Sequence, residues 1–526
     1  MDARFDRTQD TNDKIRYLGY ELTEIWKCEF DCWINDPELA DLYRSLNENP
    51  LVSQAPLEPR DAFFGGRTGN TVSFYEVEGS ERIHYVDVCS LSPFISKTGK
   101  FPVGHPTVYV GDDCRELTGD RHNIDNVEGL IKCVVLPPRD LYHPVLPVRM
   151  HGELLFALCR SCAEATLQGS CPHENPADRV FEGTWVVDEV KRAVRKGYEI
   201  TLIHEIWQYE ITQYDPATRT GGHFADYINT FLKIKQEASG WPRECGDDDE
   251  AKKLYIEEYD RVEGIRLDPG NVKSNPGLRS VAKLCLNSFW GKFGQRENLP
   301  KTEIVTTRQK LVSLLTCPEV EITGILPVDD EMLYVSTRNT SDSLIPTAYT
   351  NVVIAGYTTT QARLKLYDYL EALDRRVLYY DTDSCIYVSG GRHVDNTYEP
   401  PLGSLLGDLK DELESYGAGS YITSFVSGGP KFYAYRVRKQ DGSYAEVCKV
   451  KGITINHATS LVINYNWIRS YVTGETDEPV ALRYDAIRRT PFHDVVTRVE
   501  AKTCKPTELQ KRRRDGRFGS LPYGFM

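Results

Sequence analysis

Several things are scarce in this chain, and each scarcity narrows its class. Nothing in its 526 residues approaches the ~18 consecutive apolar residues of a membrane-spanning helix. Its opening, MDARFDRTQDTNDK, is polar and lacks the apolar core of a signal peptide. The expectation is a soluble intracellular protein with no membrane partner, its compartment open and an upstream extension not excluded. An excess of base is also missing. The net charge is −14, so whole-chain charge does not mark a nucleic-acid binder, and the local distribution has to be read instead. The 14 cysteines are too dilute and scattered for a secreted disulfide scaffold. There is no internal repeat and no low-complexity tract.

What is present fits a large folded protein. Hydrophobic residues make up 40% and aromatics 11%, with 31 tyrosines. Acid concentrates at 245–260 (CGDDDEAKKLYIEEYD) and base at 510–517 (QKRRRDGR); a solvated surface is the plain alternative for both, and it accounts for the acidic one. One cysteine group is tightly spaced: Cys159-x2-Cys162-x8-Cys171-x-His173. A Cys-x2-Cys step lets two thiolates meet one ion, and Cys171 with His173 could complete a tetrahedral zinc site. Free buried thiols are the alternative. A zinc ion with four protein ligands would be structural.

Periodicity predicts a polar helical stretch over 1–50, with aromatics at Trp26, Phe30 and Trp33. A Pro/Gly loop follows over 51–70, then strands over 72–90. Helices are expected at 184–196, 223–240, 278–294, 351–373 and 403–417, and strands at 200–212 and 430–455.

Three separated segments carry chemistry. The run VLYYDTDSCIYV predicts a β-hairpin whose tip presents Asp381 and Asp383. Two acids at one turn repel each other and suit a cation, although Asp is also an ordinary turn former. Asp87, in DVCSLSP, ends a β-prone strand that could aim its carboxylate at a cleft. In KLCLNSFWG, Lys283, Asn287 and Trp290 fall at i, i+4 and i+7 of a helix and share one face, with Arg279 one turn earlier. That face offers cations for phosphate and a ring for stacking. An amphipathic helix with a lysine at its rim is the plainer reading of this segment taken alone. Acids from two strands with a basic-aromatic helix suit nucleotidyl transfer, in which divalent ions take oxygen ligands.

In this order the segments resemble motifs A, B and C of family B DNA polymerases: D-x-x-S-L-Y-P, K-x-x-x-N-S-x-Y-G and Y-x-D-T-D-S. Pro430-Lys431-Phe432-Tyr433 resembles the family's K-x-Y motif, and Phe63-Phe64-Gly65-Gly66 the Y-x-G-G motif of protein-primed members. LEPRDAFFGGRT, FPVGHP and LNSFWGKFGQR look similar to polymerases of Polinton-type mobile elements and related organellar or viral enzymes. The resemblance covers roughly 15–526.

It implies an α+β right-hand polymerase fold and a DNA-directed DNA polymerase acting on a DNA template-primer and dNTPs. A terminal protein primer and replication of a mobile or viral element are implied with it. Asp87 and Asp383 would bind two Mg2+ or Mn2+ ions with the Val88 carbonyl, and Asp381 would be the less critical catalytic acid. Lys283 would bind the triphosphate, with Arg279 and Lys273 as weaker phosphate ligands. Asn287 and Trp290 would line the nascent base pair. Lys431 and Tyr433 would hold the primer strand, and Gly65, Gly66 and Arg67 the template. The implied layout is an N-terminal remnant over 1–60 and palm over 61–93. An insertion carrying the Cys/His group covers 94–270, and the fingers 271–298. A second insertion spans 299–345, palm resumes over 346–430, and thumb and tail fill 431–526.

Two departures stand out. Ser92 occupies the position of the tyrosine that excludes a 2′-hydroxyl. Either ribonucleotide discrimination is weakened, or the copy is decaying or has become an inactive nucleic-acid-binding protein. In addition, the residues before Phe63 are too few for the family's exonuclease, so proofreading is not expected within this chain.

Overall fold

Alternating apolar and aromatic residues in RIHYVDV and in the VLYYD/SCIYVS hairpin build the centre of a nine-stranded antiparallel sheet. The computed structural model describes residues 2–26, 29–30, 32, 55–340, 343, 349–391, 395–490, 494–505 and 511–526. They fall into two units, 1–56 and 57–526. In the first, a helix spans Asp2–Tyr17, where Arg16 pairs with Asp13 and with Glu24 beyond the helix end. Trp33 lies outside the described residues.

The central sheet belongs to the second unit. Its path runs Thr68–Asn70, Val377–Asp381, Ser384–Ser389, Arg82–Val88, Tyr421–Gly429, Phe432–Arg438, Tyr444–Val450. Leu409–Asp411 adds to Arg82–Val88, and Phe74–Glu76 to Tyr421–Gly429. The hairpin strands are buried on both faces. Val86, Val88, Tyr380, Cys385 and Tyr387 pack with Leu366, Leu370 and Leu373 of the long helix Val352–Leu373. Ile83, Tyr85, Ile386 and Val388 pack with Phe425, Tyr433 and Tyr435. A register shift between Val377 and Tyr379 lets Leu378 and Tyr379 both join the second group, as a bulge permits.

Residues 94–270 hold a four-stranded sheet, ordered Lys100–Val110, Glu199–Gln213, Gly129–Leu136, Phe181–Val186, around a core that includes Trp185 and Ile206. Helices Ala225–Glu237, Asp249–Glu263 and Pro276–Ser288 share a core of Ile228, Leu232, Ile256, Tyr259 and Leu286. Between Lys301 and Asn339 a small sheet stands apart, with strands Lys301–Val305, Leu333–Asn339 and Val320–Pro327. Helix Tyr465–Thr473 packs on the central sheet through Tyr465 and Ile468. A hairpin of Val480–Arg489 and Val495–Cys504 follows. No described helix is long and apolar enough to cross a membrane.

Two expected helices are corrected. Residues 403–417 contain no α-helix: Leu409–Asp411 pairs with Val86–Val88, because that strand has backbone groups to satisfy and this segment lies beside it. Thr184–Val186 ends a strand, and the helix begins at Val187.

Candidate active site

The tip of the Asp hairpin is closed by its own backbone. Asp381 pairs with Ser384, and the N–H of Asp383 donates to the Asp381 carbonyl at 2.6 Å. This tight closure sets Thr382 at φ +58°, an uncommon conformation for a β-branched residue that costs on the order of 1–3 kcal/mol. Ser384 lies opposite Asp87 in the register, and the N–H of Val88 donates to the Asp383 carbonyl at 2.8 Å. Motifs remote in sequence are thus joined by sheet hydrogen bonds, and the end of one strand meets the tip of the other two.

The three acids are not equivalent. Asp381 accepts from the hydroxyls of Thr68 (3.0 Å) and Thr382 (3.2 Å), and pairs with Lys431 Nζ at 3.2 Å. Asp87 and Asp383 form no ion pair among the described residues. Burial, then the charges of Asp383 and Glu412, push the Asp87 carboxyl up to about 7. Burial is also the main cause of the upward shift of Asp383, with Asp381 adding repulsion and Lys431 opposing it. Two desolvated carboxylates that repel each other and, among the described residues, have no ion-pair partner fit divalent ions.

These acids face a cleft of about 370 Å³ lined by Tyr85, Tyr433, Lys431, Lys449 and Lys451. Lys431 is exposed, at φ +59°, with its N–H donating to the Tyr379 hydroxyl at 3.0 Å. Tyr433 is only 4% exposed and belongs to the floor of the cleft, where its hydroxyl lies 3.3 Å from that of Tyr85. Sequence reasoning missed Lys449 and Lys451. Their signal was the alternation in VCKVKG, which puts both lysines on one side of a strand end. The 31 tyrosines have a partial explanation here, since Tyr85, Tyr379, Tyr433 and Tyr435 pack as one group under Lys449.

The Phe63–Arg67 loop crosses the hairpin tip, where the N–H of Thr382 donates to the Arg67 carbonyl at 2.8 Å. A Cβ on Gly66 would come within 2.5 Å of Thr382 Oγ1, so only glycine fits this approach. Gly65 is open and exposed. Arg363, from the long helix, holds the loop from behind. It donates to the carbonyls of Phe64 (2.9 Å) and Gly65 (3.0 Å), and grips buried Glu189 with two bonds of 2.8 Å. Arg67 is a correction. Expected to touch template, it is 1% exposed, donates to the Pro144 carbonyl at 2.7 Å, and stacks on Phe156 with Tyr367 and Tyr380 nearby. It braces the hairpin from below and cannot reach a strand in the cleft.

Ser92 sits half-buried in the first turn of helix Leu91–Thr98, directly after the Asp87 strand. Lys235, on helix Ala225–Glu237, approaches the same turn, with Nζ 3.4 Å from Ser90 Oγ. Burial lowers its pKa, and the neighbouring charges of Arg279 and Lys283 lower it further. Lys235 was also missed, because nothing in its own segment distinguishes it from a rim lysine. Lys283 and Asn287 are exposed on helix Pro276–Ser288, Trp290 is half-exposed in the 3-10 turn after it, and Arg279 donates to Ser239 Oγ at 3.1 Å. The helix is fixed by the stacking of Phe289 on Tyr227, with centroids 4.5 Å apart. Lys273 is exposed before it. The structure therefore groups Lys283 and Arg279 with Lys235, next to the motif A turn. Cys159, Cys162, Cys171 and His173 are also brought together, away from these acids.

An antiparallel sheet presenting two acids, with cation-bearing helices beside the turn that follows Asp87, is the arrangement of the right-hand polymerase class of fold. Residues 52–246 match the family described as DNA polymerase type B, organellar and viral. No curated protein sequence matches the chain. Among solved structures it is similar to phi29 DNA polymerase complexed with primer-template DNA and incoming nucleotide substrates, at TM-score 0.52 and 16% identity. That likeness covers 89% of this chain and 66% of the other. Phi29 DNA polymerase complexed with single-stranded DNA is similar at TM-score 0.50 and 17% identity, over 85% of this chain and 62% of the other. The orthorhombic form of the same enzyme gives TM-score 0.50 and 16% identity over the same shares. The chain thus spans a little under two thirds of the length of these relatives.

Proposed function

We propose that this chain is the core of a DNA-directed DNA polymerase, extending a primer on a DNA template from dNTPs. The carrying observation is that unpaired Asp87 and Asp383 face one lysine-lined cleft, beside a turn approached by Lys235. The nine-stranded sheet, which takes in Phe432–Arg438 and Tyr444–Val450, serves as palm, helices Ala225–Glu237 and Pro276–Ser288 as fingers, and helix Tyr465–Thr473 with the hairpin after it as thumb, so the thumb begins after Val450 and not at Lys431.

Asp87 and Asp383, with the Val88 carbonyl, would hold the divalent ions. When bound, two Mg2+ or Mn2+ ions lower the pKa of the primer hydroxyl and stabilise the departing pyrophosphate. The remaining work falls to side chains of this chain. Lys431, Lys449 and Lys451 hold primer phosphates, Lys431 being oriented by Asp381. Lys283, Arg279 and Lys235 draw in the triphosphate, and Lys273 adds charge to its approach. Asn287 and Trp290 bound the nascent base pair. The exposed Gly65–Gly66 backbone lets a template strand pass close to the acids. Ser92 leaves room where a ring would exclude a 2′-hydroxyl. Priming by a terminal protein and service to a mobile or viral element follow from the same family resemblance.

Primer extension by purified protein with Mg2+ tests this. Wild type extends with dNTPs and Asp383→Ala does not. Template binding without extension by wild type would instead mark an inactive nucleic-acid-binding descendant. In parallel, ribonucleotides are accepted more readily by wild type than by Ser92→Tyr, and equal rejection by both overturns the reading of Ser92.

A further inference from the structure

The Cys/His group has no part in nucleotidyl transfer, yet its geometry is specific. Cys159, Cys162 and Cys171 are buried, His173 is half-buried, and their ligand atoms all lie within 4.8 Å of one another. His173 Nδ1 stands 3.5 Å from Cys159 Sγ, 3.4 Å from Cys162 Sγ and 3.8 Å from Cys171 Sγ. Zn–S bonds of about 2.3 Å and a Zn–N bond of about 2.0–2.1 Å at tetrahedral angles separate sulfur from nitrogen by roughly 3.6 Å. The three distances straddle that value. One nitrogen within a few tenths of an ångström of the same distance from three sulfurs is what a shared central ion would produce.

Two surrounding features point the same way. Three thiolates around Zn2+ leave one net negative charge, and Arg179, only 4% exposed, lies within electrostatic reach of all three cysteines. Its Nε has no partner among the described residues. A buried guanidinium with a spare N–H within electrostatic reach of the thiolates can offset that negative charge, as outer groups around a metal site do.

Residues 518–526 pack on this group. The N–H of Leu158 donates to the Tyr523 carbonyl at 2.8 Å, and Tyr523 is buried in the same core as the three cysteines. Gly524, at φ +87°, lies so close that a Cβ there would be 2.4 Å from Cys159 Cβ. Arg139 donates to the His173 carbonyl at 3.1 Å, and its own carbonyl accepts from the Met526 N–H at 3.1 Å. At its other end this segment joins the central sheet. The N–H of Ser520 donates to the Thr71 carbonyl at 2.8 Å, and that of Ser73 to the Phe518 carbonyl at 2.7 Å.

We propose that Cys159, Cys162, Cys171 and His173 bind one structural Zn2+, which clasps residues 518–526 between the insertion that follows motif A and the sheet edge beside the Asp hairpin. The four ligands leave no open position, so the ion ties elements together and does no chemistry. Metal binding here contributes directly to local folding stability.

Metal analysis and hydrogen exchange on the full chain test this without reference to polymerase activity. Wild type carries about one zinc per chain, and His173→Ala far less. His173→Cys keeps the metal, because a fourth thiolate replaces the nitrogen, which guards against a folding failure being read as lost ligation. Removing the metal with a thiol-compatible chelator raises exchange at the Leu158 amide and across 518–526 about tenfold or more, and added Zn2+ reverses it. Exchange in the Asp87 strand stays unchanged. Wild type that is purified without zinc and takes up neither Zn2+ nor Co2+ overturns the site. Zinc loss that leaves exchange across 518–526 unchanged overturns the clasp.

Discussion

The backbone N–H of Val88 donates to the carbonyl of Asp383 at 2.8 Å, joining the end of one strand to the tip of a hairpin from a distant part of the chain. This bond fixes how Asp87 and Asp383 face each other, since each carboxylate is borne by, or adjacent to, a bonded residue. The mutual repulsion at the site is therefore built into the sheet and cannot relax by a turn of the loop.

That repulsion has a measurable consequence in the metal-free protein. The Asp87 carboxyl titrates near 7 when folded, against an ordinary value of 3.8. A group raised on folding leaves stability intact below its unfolded pKa and erodes it as pH rises through the folded one. Asp87→Asn is thus expected to match wild type near pH 4 and to exceed it at pH 8, by roughly 1–2 kcal/mol after allowing for partial exposure. Thermal midpoints in EDTA at the two pH values check this. Adding Mg2+ at pH 8 should stabilise wild type more than the variant.

Gly66 is a steric prediction. Gly66→Ala puts a Cβ within 2.5 Å of Thr382 Oγ1 and 2.8 Å of its Cγ2, whereas Gly65→Ala meets nothing within 4 Å. The first should reduce primer extension at least about tenfold and the second little. Adding Thr382→Ala removes both offending atoms and should restore much of the loss. A double-mutant cycle measures that coupling directly.

Arg363 and Glu189 form a buried ion pair that also holds the Phe64–Gly65 carbonyls. Arg363→Leu strands a buried carboxylate, and a loss of about 3–5 kcal/mol is expected in chemical denaturation. Arg363→Leu with Glu189→Leu should recover part of it, because no unpaired charge then remains.

Lys449 and Lys451 line the cleft, so their loss should weaken DNA binding for all sequences alike. Each alanine variant should lower the slope of log affinity against log salt by about 1, and Lys253→Ala, on the exposed side of helix Asp249–Glu263, should not.

Much of the site was legible because it rests on local patterns. The hairpin alternates β-formers around a turn, and Asp87 ends a strand with the same signature. Helix Pro276–Ser288 announces itself by the i, i+4 spacing of Lys283 and Asn287, with Trp290 in the turn just after it. What escaped depends on remote packing. Arg67 reads as a loop cation, and only Phe156, Tyr367 and Tyr380, from separate segments, turn it into a buried brace. Residues 403–417 have a helical look, and the open edge of the Asp87 strand draws Leu409–Asp411 into a sheet instead. Lys235 gains its place from the approach of helix Ala225–Glu237 to Ser90, which no local pattern encodes.

The most direct measurement is single-turnover dNTP incorporation on a primed template in Mg2+, comparing wild type, Asp87→Asn, Asp381→Asn and Asp383→Asn, with DNA binding measured for each. Asp87→Asn and Asp383→Asn should bind DNA but incorporate nothing measurable. Asp381→Asn, losing only a residue already engaged by Lys431 and Thr68, should retain part of the wild-type rate. Wild type that binds template without incorporating, or Asp383→Asn that incorporates as fast as wild type, would contradict the account.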